Sequence, residues 1–202
     1  MLYGRMVGSC VARSVFSLWL ALLPSVALAD VEFGGRAGLR STTLDGDAGY
    51  GAAKRAGAAA FASLSIVPSA LAAGLELELA ERGSQSYRLL YLGLPIVGHF
   101  TYPASASVRG RLTAGIEPSR LLSARRIEGV EGGGSTSTSI TRYFARWDLA
   151  LLVGLAVDLR LAERRTLFLE LRYLRGLTTV DAGERPLYVT NRELGAWLGM
   201  RF

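Results

Sequence analysis

Apolar and polar residues alternate along most of this chain. The cleanest stretch covers residues 147–160, where Trp147, Leu151 and Leu155 share one wholly apolar set of positions while Asp148 and Asp158 fall in the other set. Successive side chains of a β-strand point to opposite faces, so strict alternation over about eight residues is typical of a strand with one apolar face. Helical spacing does not fit this stretch. The pattern therefore predicts amphipathic strands.

Eight such stretches predict an all-β chain. They cover residues 32–41, 57–67, 71–80, 87–100, 108–122, 147–160, 167–174 and 190–202. The short connections are 68–69, 103–107 and 162–165. The longer ones are 42–56, 123–146 and 178–189, with 81–86 as a shorter exception. Short turns at one end and long loops at the other are typical of bacterial outer-membrane barrels. We therefore predict an eight-stranded antiparallel up-and-down transmembrane β-barrel with its long loops outside the cell.

The amino terminus has the features of a Sec-type signal peptide. Arg5 and Arg13 precede an apolar run at residues 15–23, and a small-residue cleavage site ends at Ala29. The run is shorter than the roughly 20 residues that a spanning helix needs, so we predict no transmembrane helix. We predict cleavage after Ala29. This divides the chain into a signal peptide at 1–29 and one barrel domain at 30–202, exported to the outer membrane.

Composition narrows the chemistry of the mature protein. Cys10 is the only cysteine and leaves with the signal, which excludes disulfides and thiol chemistry. Loss of Arg5 and Arg13 leaves 21 of the 23 Lys and Arg residues against 17 Asp and Glu residues. The excess is about +4, and the basic residues are scattered through strands and loops rather than clustered, which argues against binding of nucleic acid.

The last strand has the form of a closing strand of an outer-membrane barrel. Leu194, Leu198 and Met200 lie on one face of residues 194–202, and the chain ends on Phe202. We predict that the barrel-assembly machinery reads this ending. The predicted assembly signal consists of Trp197, Met200 and Phe202.

Several short motifs resemble the PorT-like outer-membrane β-barrel domain family. Tyr91-Leu92-Gly93-Leu94-Pro95-Ile96 is similar to a tyrosine-leucine-x-isoleucine-proline-leucine strand of that family. The other matching motifs are Gly35-Arg36-Ala37-Gly38-Leu39, Leu75-Glu76-Leu77-Glu78-Leu79, Leu169-Glu170-Leu171-Arg172-Tyr173 with Gly176-Leu177, and Leu198-Gly199-Met200-Arg201-Phe202. The resemblance implies eight-stranded barrels of mostly unassigned function, one of which assists a secretion system. Pro95 cannot donate to a strand ladder and predicts a bulge or kink.

Amphipathic strands could also form a secreted, soluble, lipocalin-like barrel with the apolar face inside. We favour lipid outside because the signal peptide, the terminal Phe202 and the loop asymmetry agree with it. Aromatic residues near the strand ends also agree with the interfacial girdles of membrane barrels. These residues are Tyr87, Phe100, Tyr102, Tyr143, Phe144, Trp147, Tyr173, Tyr188 and Trp197.

The polar face would then fill the lumen, which eight strands leave just wide enough for side chains. The inward cations would be Arg36, Arg40, Arg109, Arg111, Arg160, Arg172 and Arg201. The inward anions would be Glu76, Glu78, Glu117, Asp148, Asp158, Glu170 and Glu193. Buried charges are tolerated when they are paired and hydrogen-bonded, so we predict an ion-paired network that plugs the lumen. A solvated outer face, or a chance equality of the two sets, is the alternative.

Few residues offer catalytic or metal chemistry. His99 is the only histidine, whereas a metal site usually needs several His, Cys or carboxylate ligands. Ser105 and Ser107 follow it closely, but no spacing identifies a catalytic triad. Glu76 and Glu78 invite an acid/base hypothesis, yet in a charge-rich sheet a structural role is favoured. We predict no metal, no cofactor and no enzymatic activity; a lipid-modifying enzyme or a narrow channel is the alternative.

Any role beyond structure should lie in the exposed loops. The longest, residues 123–146, carries Arg125, Arg126 and Arg142 around a Gly/Ser/Thr tract at 132–139, and we expect it to be solvated and partly disordered. Its arginines could contact the phosphates of lipopolysaccharide. The sequence thus predicts a structural or interaction protein of the Gram-negative envelope. Its expected partners are outer-membrane lipid, lipopolysaccharide, the assembly machinery and an envelope protein.

Overall fold

A computed structural model describes residues 31–46, 51–67, 70–130, 134–162, 165–182 and 188–202. The predicted signal peptide, with its cleavage site after Ala29, lies outside these residues. The strands are β1 Val31–Gly46, β2 Ala53–Val67, β3 Leu71–Gly83, β4 Tyr87–Gly93, β5 Ile96–Pro103, β6 Val108–Val130, β7 Gly134–Ser139, β8 Trp147–Ala162, β9 Arg165–Gly176 and β10 Val189–Arg201. A short 3₁₀ turn covers Thr141–Tyr143. Within the described ranges, no helix is long and apolar enough to cross a membrane.

The strands close into an antiparallel ring of eight. β4 and β5 together form one ring strand, and β7 pairs with β6 outside the ring. The ring closes between β1 and β10, from Gly34 opposite Arg201 to Gly46 opposite Val189. Closure gives every ring strand two neighbours, which satisfies the backbone hydrogen bonds as lipid requires. The predicted eight-stranded barrel is confirmed. Its turn end carries residues 104–107 and Phe202, and its loop end carries residues 84–86 and 177–182.

Side chains alternate across the barrel wall. On β8, Leu155 is 62% exposed while its neighbour Ala156 is 6% exposed. On β3, Leu75 and Leu77 are exposed and Glu76 between them is buried. The leucine-rich face therefore lies outside and the charged face lines the lumen. The lipocalin-like alternative is wrong, because it requires the opposite arrangement.

Pro95 was predicted to cause a bulge or a kink, and it interrupts the fourth ring strand without a bulge. Gly93 pairs with Glu78 before the interruption, and Ile96 pairs with Leu75 after it, which is one unbroken register. Because proline has no backbone N–H, the ladder loses a hydrogen bond at this point. The strand is divided into β4 and β5 although its pairing is continuous.

A bulge does occur between β4 and β6. Leu90 pairs with Ser123 and Tyr91 pairs with Leu121, so Leu122 is the extra residue of β6. A bulge of one residue reverses which positions face inward. Beyond it, the even-numbered Ala124 is buried in the barrel mouth.

Most of the predicted loop at 123–146 is strand. β6 continues to Val130, and β7 pairs back on it from Arg125 opposite Ser139 to Val130 opposite Gly134. The expectation of a partly disordered loop is therefore wrong for these residues. A hairpin ladder is formed by the backbone, so a Gly/Ser/Thr tract can extend it from a strand that the barrel already holds.

Aromatic side chains are exposed near both ends of the wall. Those at the turn end are Phe33, Phe100, Tyr102 and Phe202, and those at the loop end are Tyr143, Trp147, Tyr173 and Tyr188. Trp197 was expected in this girdle but is only 1% exposed. Its position on β10 has inward parity, so the ring lies in the lumen. Tyr87 and Phe144 are half-buried and pack on each other at the mouth, with ring centroids 5.8 Å apart.

Replacing Leu155 with arginine should lower the free energy of unfolding in lipid vesicles by about 2–4 kcal/mol, because the residue lies midway along β8 on the outer face. The matched variant Leu161→Arg, near the turn end of the same strand, should cost about 0–1 kcal/mol because its charge can reach water. Urea unfolding followed by tryptophan fluorescence measures both values. Equal losses of unfolding free energy for the two variants would show that the leucine-rich outer face does not contact hydrocarbon.

Candidate functional site

The lumen holds a network of arginines and carboxylates whose residues are each at most 5% exposed. The alternating pattern of the strands places them there, because every second side chain of an amphipathic strand points inward. The buried arginines are Arg36, Arg40, Arg82, Arg111 and Arg172. The buried carboxylates are Glu76, Glu78, Glu117, Asp148, Asp158, Glu170 and Glu193.

Glu76 lies at the centre of the network between two arginines. Arg36 donates to both of its carboxylate oxygens, at 2.9 and 2.7 Å, and Arg172 does the same at 2.8 and 3.1 Å. Arg36 also donates to the carboxylate of Glu78, and Arg172 donates to that of Glu170, each at 2.9 Å. Bidentate pairs of this kind are among the strongest side-chain hydrogen bonds.

Arg82 organises the side of the network nearer the loop end. It donates to Glu117, its Nε lies 3.4 Å from Glu193, and Glu78 and Asp148 are each 3.9 Å away. Arg82 was not among the predicted lumen residues, because residues 81–86 were predicted to be a loop. Position 82 continues the inward alternation of positions 76, 78 and 80, which is the signal that identifies it.

A smaller cluster lies near the turn end. Arg111 Nε is 3.3 Å from both oxygens of Asp158, and Arg201 donates to the same carboxylate. His99 is buried beside it, with Nδ1 3.1 Å from the Thr113 hydroxyl.

Three of the predicted lumen cations lie outside the buried set, all at the turn end. Arg160 is exposed, and Arg109 and Arg201 are half-buried, although Arg201 still donates to Asp158. The pairing of β8 with β9 shifts between Arg160 and Ala162, so regular alternation ends there. The prediction of Arg160 as a buried lumen residue is therefore wrong.

The residues of the predicted assembly signal separate in space. Trp197 packs under Arg36 and Arg40, whose guanidinium carbons lie 4.8 and 4.5 Å from its ring centroid. Met200 is half-buried, and Phe202 is exposed at the turn end. The ending therefore presents one aromatic side chain to the surroundings and one to the ionic network.

An apolar layer covers the network at the loop end. It consists of Leu44, Leu89, Tyr91, Leu121, Ala124, Val180 and Val189. Above it, a cavity of about 400 Å³ is bordered by Tyr87, Ile140 and Phe144, with Arg126 and Asp181 at its polar edge. Sequence reasoning missed this layer because Val180 fell in a predicted loop and Ala124 gained its inward position through the bulge.

A family model described as the outer membrane protein β-barrel domain matches residues 72–182, just over half of the chain. The chain belongs to this family. It is therefore a small outer-membrane β-barrel protein, and the family places it in the bacterial outer membrane. The narrower resemblance to PorT-like barrels stays a prediction.

Solved structures of other outer-membrane barrels are similar to this chain. The neisserial surface protein A shares 16% identity at a TM-score of 0.56, covering 84% of this chain and 95% of that chain. Ail of Yersinia pestis shares 14% identity at a TM-score of 0.47, covering 86% of this chain and 99% of that chain. OprG of Pseudomonas aeruginosa shares 9% identity at a TM-score of 0.48, covering 86% of this chain and 95% of that chain. The first likeness shows a common fold. No curated protein sequence matches the chain significantly.

The candidate catalytic residues of the described chain are not arranged for catalysis. His99 contacts Thr113 and Arg111, whereas the hydroxyl of Ser105 accepts backbone hydrogen bonds in the turn at residues 104–107. Glu76 and Glu78 both accept hydrogen bonds from buried arginines, so both carboxylates are engaged within the ionic network. Among the described residues, no three His, Cys, Asp or Glu side chains are grouped as metal ligands.

Proposed function

We propose that this barrel is a closed protein of the outer membrane, plugged by its ionic network, with a structural or interaction role exerted from its loop end. The contact between Arg172 and Glu76 carries the proposal. Arg172 lies on β9 and Glu76 on β3, which are four strands apart in either direction around the ring of eight. The two side chains, joined by a 2.8 Å hydrogen bond, therefore extend across the full width of the lumen.

Two different layers support a closed lumen. The ionic layer joins β1, β3, β9 and β10 through the contacts of Arg36, Arg40 and Arg172 with carboxylates. The apolar layer at the loop end lies in series with it and contains residues of β1, β4, β6 and β10. An ion would have to break buried ion pairs and then cross the apolar layer. A structural role is favoured over transport for this reason.

The refolded barrel should show no steady single-channel current in planar lipid bilayers. Heat-modifiable migration in SDS gels would first establish that the inserted protein is folded, and a general porin in the same membrane provides the positive control. A stable open level in the recordings would contradict the plug and favour the narrow-channel alternative. Unchanged lipid A in cells that express the barrel would further separate it from the lipid-modifying alternative.

A further inference from the structure

Two arginines face each other across neighbouring strands on the outer surface of the loop end. Arg175 of β9 and Arg192 of β10 are direct register partners. Their side chains are 45% and 47% exposed, on the same wall face as the outward leucines. Like charges directly opposite each other destabilise an antiparallel pair, so this arrangement requires compensation.

Among the described residues, one carboxylate compensates part of this charge. Asp45 of β1 accepts from Arg175 at 2.7 Å and lies 3.6 Å from Arg192. One carboxylate is thus shared between two guanidinium groups in this part of the described surface, and the cluster keeps a net positive charge. An external anion that reached both guanidinium groups would complete it.

The arginine pair borders the apolar band, which is the leucine-rich outer face of the barrel wall. Arg175 is the register partner of the exposed Leu151 on its other side, and the next outward residues towards the turn end are Tyr173 and Leu194. A molecule bound here would have its charged group at the guanidinium groups and its apolar part on leucines. At the opposite edge of the band, the exposed Arg160 and Arg165 are not register partners, because Arg160 pairs with Thr166 and Arg165 with Ala162. The facing arginine pair at an edge of the described band therefore lies at the loop end, which favours an anionic lipid of that leaflet.

We propose that Arg175 and Arg192 bind a phosphate group of a phosphorylated glycolipid in the outer leaflet. The inference rests on the proposed outer-membrane placement with the loop end outside. The planar guanidinium fork matches phosphate oxygens in bidentate geometry, and opposite side chains of a strand pair lie about 5 Å apart, so both reach one phosphate. The acyl chains lie on the outward leucines of β9 and β10.

The site differs from the loop arginines that the sequence predicts for this contact. Arg126 pairs with Glu128 at 2.9 Å and lines the mouth cavity, and Arg142 stacks on Tyr143 at 4.7 Å. Arg125 pairs across strands with Arg88, but in the part of β6 that forms the hairpin with β7. The Arg88–Arg125 pair therefore provides a matched control, because it has the same chemistry but Arg125 lies beyond the bulge, where β6 pairs with β7 instead of β8.

The full mature barrel in neutral detergent micelles would be titrated with bisphosphorylated lipid A, and binding followed by native mass spectrometry. The double variant R175Q/R192Q should bind about tenfold more weakly, the loss expected for charge-assisted hydrogen bonds to one phosphate. The control R88Q/R125Q and the turn-end control R160Q/R165Q should bind within about twofold of the unaltered barrel. Lipid A stripped of phosphate should bind the unaltered barrel and R175Q/R192Q equally.

Several results would overturn the site. One is equal affinity of R175Q/R192Q and the unaltered barrel for lipid A. Another is equally tight binding of phosphatidylglycerol or inorganic phosphate, which would assign the pair to any anion. Binding of phosphorylated and phosphate-free lipid A to the unaltered barrel can be compared without any variant, and equal affinities would also overturn it. A channel current would instead contradict the plug and leave this lipid site standing.

Discussion

Replacing Arg82 with methionine should lower the free energy of unfolding by about 3–5 kcal/mol. Arg82 donates to Glu117 and lies within 3.4–3.9 Å of Glu193, Glu78 and Asp148. All are buried, so the substitution leaves carboxylates in the lumen without the cation that they share. Loss of one partner costs more than the ion pair contributes, because the uncompensated charge stays buried. Urea unfolding in phospholipid vesicles, followed by the fluorescence of Trp147 and Trp197, measures the change.

Two further variants isolate the cause of the Arg82 effect. The double variant Arg82→Met/Glu117→Gln should recover part of the loss, because it removes one of the stranded charges. Arg126→Met removes an arginine whose pairing with Glu128 is exposed and should cost about 0–1 kcal/mol. If Arg82→Met were as mild as Arg126→Met, the ionic network would contribute little to stability.

Replacing Gly38 with valine should cost about 3 kcal/mol or more and reduce the yield of closed barrel. A Cβ at position 38 would lie 2.3 Å from the carbonyl oxygen of Ala196 and 2.9 Å from the Trp197 ring. Gly38 pairs with Trp197 at the seam between β1 and β10, so the clash cannot be relieved without opening the ring. Trp197 is itself held under arginines.

The neighbouring variant Ala37→Val is the matched control for Gly38→Val. Ala37 is exposed on the outer face of the same strand, where extra methyl groups meet lipid, so the free energy of unfolding should change by about 0.5 kcal/mol or less. The fraction of heat-modifiable protein in SDS gels reports closure for both variants. Comparable folded fractions would show that the seam tolerates a side chain at position 38.

Alternation within strands was the most informative sequence feature. It predicted the outward Leu155 and the inward Arg36, Glu76 and Arg172, because the period of two is imposed by the backbone of each strand alone. It also predicted that β8 and the closing strand have a lipid face. These predictions need no knowledge of neighbouring strands, which is why one sequence was sufficient for them.

The errors lie where strands end or change parity. Arg82 was missed because pairing with β4 extends β3 to Gly83, past residues that read as a loop. Ala124 and the apolar layer were missed because a bulge at Leu122 reverses the inward positions. Arg160 was misplaced because its strand leaves regular pairing at the turn end. The bulge at Leu122 and the end of regular pairing at Arg160 depend on a neighbouring strand, so no local pattern reveals them, whereas Arg82 continues the alternation of its own strand.

The sequence by itself determined that the chain forms amphipathic strands, which face of each strand is apolar, and which charges point inward along the regular middle of each strand. Only the tertiary structure decided which charges meet. Arg172 and Glu76 are 96 residues apart in the chain and come together because ring closure places β9 opposite β3. The face of a side chain follows from the pleat of its own strand, whereas its partner follows from the register of every strand between them.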